Sequence, residues 1–166
     1  MKAKMFRALL PLAIVFTMVS CSSDSSEGSS TENKLVTTYN YNDTELRIVS
    51  LINDYRASIG LNRLEVINHI SYKSQEHNIY MIYNAVINHD YFQQRSNNLI
   101  QVLGAERVGE NIAYNYQTAE SAMSAWINSP AHKDNIKGNY THLGISVTVD
   151  ETTGKKYYTN MFIKKK

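Results

Sequence analysis

The side chains in this 166-residue chain best suited to chemistry are its five histidines, at 69, 77, 89, 132 and 142, and a few carboxylates. The single cysteine, Cys21, allows neither an intramolecular disulfide nor a multi-thiolate zinc site. There is no G-x-S-x-G elbow, no H-E-x-x-H pair, no P-loop and no G-x-G-x-x-G turn, so the chemistries those motifs carry are not signalled. Imidazole and carboxylate remain. A neutral imidazole can ligate a metal or move a proton near neutral pH. A nearby carboxylate can be a third ligand or orient the ring. His132 is well placed for this. It falls at about N3 of a helix opened by Ser129-Pro130, a capping hydroxyl followed by proline at N1. There the unpaired N–H groups and the helix dipole disfavour imidazolium, which leaves the ring neutral.

The elements that would position these residues read as follows. Asp43 or Thr44 caps a first helix whose apolar face is Ile48, Ile52, Tyr55 and Ile59, and Gly60 ends it. Leu61 to Val66 is a short extended link, and a second helix runs from about Ile70 to Ala85 with His77 on one face. Residues 86–109 read as irregular, with one helical turn near Asn97–Leu103, and Gly109 to Tyr114 as a short strand or loop. Thr118 caps a third helix carrying Ala122, Met123 and Trp126, and Pro130 starts a fourth. The period then changes. Leu143, Ile145, Val147 and Val149 alternate with small residues, and Tyr158, Asn160 and Phe162 share one side of a second run. Two alternating runs joined by a Gly-containing loop predict a β-hairpin. The fold class is α+β, a sandwich of helices on a small antiparallel sheet.

Structural roles account for most other polar residues. Glu120 suits a helix start, Asn111 satisfies backbone beside Glu110, and Trp126 belongs to the core. His69 and His142 read as surface or strand-edge residues, and Lys164–Lys166 as a solvated tail. The twelve tyrosines make no evident sugar-binding platform in the sequence.

Residues 1–20 read as a signal peptide. Lys2, Lys4 and Arg7 form a basic start, and Ala8 to Val19 an apolar stretch too short to span a bilayer. Ser20-Cys21 resembles a bacterial lipobox, which implies lipid on Cys21 and stable membrane anchoring. Residues 21–40 then form a flexible Ser-rich, acidic tether, and the folded domain occupies residues 41–166. Acidic residues just past Cys21 resemble the surface-export signals of lipoproteins in the Bacteroidetes group; a plain spacer is the other reading. Without residues 1–20 the chain carries 14 basic against 15 acidic side chains. That balance excludes the basic face of a nucleic-acid-binding domain. No apolar run reaches the roughly 18 residues of a spanning helix.

Several segments recur in a familiar order: Leu51-Ile-Asn-Asp-Tyr-Arg56, Asn88-His89-Asp90, Gly109-Glu110-Asn111-Ile112-Ala113, and Ala125-Trp126-Ile127-Asn128-Ser129-Pro130-Ala131-His132 continuing to Ile136. His142-Leu143-Gly144-Ile145 and Tyr157 to Phe162 follow. Together, over about residues 45–164, they resemble the CAP superfamily, also called SCP-like, in its bacterial secreted branch. The resemblance implies an α-β-α sandwich with a surface cavity lined by two His and two Glu, where some members bind a divalent metal such as zinc. Matched by motif, these residues are His89, Glu110 and His132. The second Glu of animal members falls on Ser129, so the set is incomplete, and Ala131 stands where bacterial members usually have Gly.

Two classes of function follow. One is a lipid-anchored module of the bacterial cell envelope, with the outer-membrane surface one option, whose cavity binds a metal ion, small molecule, lipid or envelope polymer. The alternative is a metal-assisted hydrolase of peptide or ester bonds, with metal on His89 and His132 and Glu110 as base. The missing carboxylate at 129 favours the binding module.

Overall fold

The computed structural model describes residues 34–165; the leader, Cys21 and most of the tether lie outside the described residues. Five helices and four strands follow one another as α1 (Asp43–Ser58), β1 (Glu65–Val66), α2 (Asn68–Tyr83), α3 (Phe92–Leu103), β2 (Ala105–Tyr114), α4 (Ala119–Asn128), α5 (Pro130–Ile136), β3 (His142–Val149) and β4 (Lys156–Lys165). The strand order is β1-β3-β4-β2. The predicted hairpin is β3–β4, and β2 also pairs antiparallel with β4. The sheet is mixed rather than wholly antiparallel, because β1 runs parallel to β3.

β4 explains the three layers. Tyr158 and Phe162 pack into one core with Ile48 and Ile52 of α1, Ala122, Met123 and Trp126 of α4, and Ile136 of α5. Met161 and Ile163 face the other way, onto Ile70 of α2 and Leu99 and Leu103 of α3. Period-2 alternation thus buries both faces of a central strand. Gly144 permits the closest approach, since a Cβ there would collide with the Ser71 backbone nitrogen.

Local chemistry departs from expectation at several points. Asn42, not Asp43 or Thr44, caps α1, and Glu45 closes a capping box with it. The buried face of α1 is Glu45, Ile48, Ile52, Asn53 and Arg56, whereas Ile59 is exposed. Residues 92–103 form a three-turn helix instead of a single turn. Its signal was hidden because Arg95, Ser96 and Asn98 occupy buried positions normally held by apolar residues. The Ser129 hydroxyl makes no cap bond to α5, which leaves Pro130 as its start signal. Residues 34–40, assigned above to the tether, include several that bond to the domain. The Val36 N–H donates to His69 Nδ1 at 3.1 Å, and Asn68 Nδ2 donates to the Thr37 carbonyl at 2.7 Å. Among the described residues, no helix is long and apolar enough to cross a membrane.

Candidate functional site

β2 is the edge strand beyond β4, and successive residues of an edge strand can serve both layers. Glu110 points toward α3, and Asn111 toward α5. The Glu110 side chain is 2% exposed. Arg95 Nε donates to its Oε2 at 2.9 Å and Arg95 Nη2 to its Oε1 at 2.8 Å. This is a buried, two-pronged guanidinium–carboxylate pair. Arg95 Nη1 donates to the Asp90 carbonyl at 2.7 Å, tying the loop before α3 to the same point.

That loop carries His89. His89 Nδ1 lies 2.8 Å from Glu110 Oε1. A carboxylate clasped by guanidinium accepts, so Nδ1 carries the hydrogen, and in the neutral form of the ring the lone pair is on Nε2. The His89 side chain is 49% exposed. The structure therefore gives Glu110 the part of an orienting partner for His89.

His132 joins from the other layer. Asn111 Nδ2 donates to the His132 carbonyl at 3.0 Å, while Asn135 Nδ2 donates to the Glu110 carbonyl at 3.0 Å and to Asn111 Oδ1 at 2.9 Å. Gly109 lets α5 and the segment after it approach this strand, since a Cβ there would collide with the Tyr140 hydroxyl. Half-burial holds the His132 ring below the usual histidine range, and a charge on neighbouring His89 would depress it further. The shift favours a neutral ring at pH 7, and its causes are burial and His89 rather than the helix start.

His77 supports the corner from beneath. It is 1% exposed, and its Nε2 donates to the Asn88 carbonyl at 2.8 Å. That bond holds the backbone one residue before His89. Its Nδ1 is buried with no hydrogen-bond partner, and burial, then Arg95, holds its pKa down. Sequence spacing placed His77 on a packing face but did not show this link. Arg95 was missed as well, because α3 was not recognised.

His69 is not a surface residue. It is fully buried, accepting from the Val36 N–H and lying 2.7 Å from Asn98 Oδ1. His142 opens β3, with Nδ1 2.8 Å from Thr141 Oγ1 and Nε2 3.6 Å from Glu65. Glu120 is a surface residue paired with Arg47 at 2.7 Å. Trp126 is core, its Nε1 donating to the Ile112 carbonyl. Among the described residues, no three His, Cys, Asp or Glu side chains stand together as a metal cage.

The histidines make stability depend on pH. His69 and His77 are buried, and desolvation places both below their ordinary value. The unfolded chain therefore takes protons first. The stability they contribute is complete above the unfolded value near 6.5 and is lost as pH falls from there toward the folded values. Each such group contributes a slope of up to about 1.4 kcal/mol per pH unit in that window. Glu45, raised by desolvation, opposes this with a single group that favours the fold at lower pH. The melting temperature should fall between pH 7.5 and 5.5. His77→Gln should flatten the profile; an unchanged slope would disprove the assignment.

Known proteins share both the sequence pattern and the fold. A family model described as "CAP: Cysteine-rich secretory protein family" matches residues 49–162. The uncharacterized membrane protein YlbC of Bacillus subtilis (strain 168) is 44% identical over 61 residues, which cover 36% of this chain and 16% of that protein. Solved structures share the fold. An outer surface protein from Borrelia burgdorferi superposes with a TM-score of 0.67 at 22% identity, covering 79% of this chain and 100% of that one. An extracellular protein containing a SCP domain, from Bacillus anthracis str. Ames, superposes with a TM-score of 0.65 at 24% identity, covering 77% of this chain and 45% of that one.

Proposed function

This chain belongs to the cysteine-rich secretory protein (CAP) family, and from that premise we propose that it is a lipid-anchored binding module of the bacterial envelope whose His89–His132 corner captures a ligand without cleaving it. Outer-surface and extracellular neighbours of the same fold support the location. The Ser20-Cys21 junction supports the anchor.

One observation carries the binding reading. Both oxygens of Glu110 are engaged, by Arg95 and by His89. A general base must be free to take a proton from a substrate or water, and a carboxylate locked by a buried guanidinium is not. Ser129 puts no second carboxylate in its place.

The donor set fits a divalent ion such as zinc in part. His89 Nε2 and the neutral His132 ring are suitable nitrogen ligands, and Glu110 is the outer partner that fixes the first ring. Two protein ligands fall short of the three usual in a catalytic zinc site. When bound, the ion would supply a positive centre for a further ligand.

Zinc titration calorimetry on the chain from residue 22 onward tests this. His89→Ala and His132→Ala should each remove most of the affinity. Glu110→Gln should weaken it about 10- to 100-fold, and binding should weaken as pH falls below about 6.5, because a protonated ring cannot ligate. His142→Ala is the control; His69 is unsuitable, since its full burial makes its removal a stability change. No saturable binding by the parent, or equal losses in the control, would end the metal reading. Peptide or ester turnover lost with His89→Ala would replace binding by hydrolysis.

A further inference from the structure

A groove of about 890 Å³ runs between residues 34–38, α2 and α3, apart from the His89–His132 corner. Its size falls within the range of ligand sites, but its lining does not resemble the usual apolar pocket. Gln94, Asn97 and Gln101 line it from α3. They sit three and four residues apart, a spacing that sets side chains in a row along one helix face. The row extends over about 10 Å of helix. All three are exposed. Tyr72, Lys73 and Glu76 form the α2 wall. Lys73 has a buried stem and places Nζ 2.8 Å from Glu76 Oε2. Its ammonium also stands 5.5 Å from the Tyr72 ring centroid.

These groups select a ligand class. A side-chain amide offers donors and an acceptor together, as does a sugar hydroxyl. Lys73 and Glu76 compensate each other, and Arg95 spends three N–H groups on Glu110 and Asp90. An acidic polymer would need unpaired basic charge. An extended peptide would need apolar pockets for alternate side chains. The lining holds one basic side chain outside those pairings, Lys34, and two apolar ones, Leu35 and Val36; the neutral amides of Gln94, Asn97, Asn98 and Gln101 and the hydroxyls of Thr37, Thr38 and Tyr72 outnumber them.

We propose that the α2–α3 groove binds a neutral glycan chain, through hydrogen bonds from Gln94, Asn97, Gln101 and the Lys73–Glu76 pair, with Tyr72 as a wall. This deepens the binding-module reading by naming a ligand class. Arg95 lines the groove and clasps Glu110, so glycan and His89 corner share a wall.

The test uses the chain from residue 22 onward against neutral, N-acetylated and acidic oligosaccharides and an extended peptide, with chitotetraose and cellotetraose as the neutral probes. Calorimetry measures affinity, and amide NMR shifts locate the site. Saturable binding of a neutral probe, with shifts confined to α2, α3 and residues 34–38, is expected. Gln94→Ala with Gln101→Ala should weaken it about tenfold, the equivalent of two ordinary hydrogen bonds. Both side chains are exposed, so the variant should fold. Binding of only acidic sugars or peptide, shifts elsewhere, or no saturation overturns the proposal. Loss of zinc binding with glycan binding intact would remove the metal corner and leave the groove; the reverse would remove the groove alone.

Discussion

Replacing Arg95 with Ala should destabilise the domain by about 3–5 kcal/mol, the usual consequence of leaving one member of a buried ion pair alone. The Arg95 and Glu110 side chains are 8% and 2% exposed, so little water can replace the lost partner. The Asp90 carbonyl loses its donor in the same change. Urea unfolding of parent and variant measures the difference. The double variant Arg95→Met/Glu110→Gln should recover much of the loss, because it removes the uncompensated charge. A loss below about 1 kcal/mol for Arg95→Ala would show that the carboxylate is solvated after all. The effect reaches function too. Without Arg95, Glu110 can turn away, and its hold on the His89 ring is lost.

Arg56→Ala should cost about 3 kcal/mol or more, for a different reason. Arg56 is fully buried and has no carboxylate partner among its hydrogen bonds. Its Nη1 donates to the Ile136 and Gly138 carbonyls at 2.7 and 2.9 Å, and its Nε to the Asn62 carbonyl at 2.8 Å. It thereby closes the C-terminal end of α5, where a positive charge is favourable. Truncation strands several buried acceptors, each a loss of about 1–3 kcal/mol when unsatisfied. Lys cannot reproduce the fork and should recover little. Because α5 presents His132, the same variant should weaken zinc binding, measured in the folded fraction at low temperature. Full retention of stability by Arg56→Lys would contradict this account.

The two arginines mark where sequence reading succeeds and where it stops. Short-range signals translated directly. Alternation in 143–149 and 156–163 became β3 and β4, with Tyr158 and Phe162 on one face. Pro130 at N1 started α5, and Thr118 capped α4 through a box with Ser121. These features depend on residues within a turn or two of each other, so local physics suffices. The segments around His89, Glu110 and His132 were likewise recognisable in order, and they fall within residues 49–162 matched by the family model.

The sequence by itself determined the hairpin, most of the helices and the family, and it named the three residues proposed for a site. It could not determine their partners. α3 was hidden because its buried positions hold Arg95, Ser96 and Asn98, whose burial is tolerable only when groups distant in the chain complete their hydrogen bonds. His69 read as a surface or strand-edge residue and His77 as a residue of a helix face, yet both are buried, one anchoring Val36 and the other the His89 loop. Glu110 read equally as ligand, base or orienting partner until Arg95, fifteen residues away, was found across its carboxylate. Helix and strand periodicity are properties of neighbouring residues, whereas the charge and tautomer of a buried group depend on whichever chain segments pack around it. Only the tertiary structure could supply those segments.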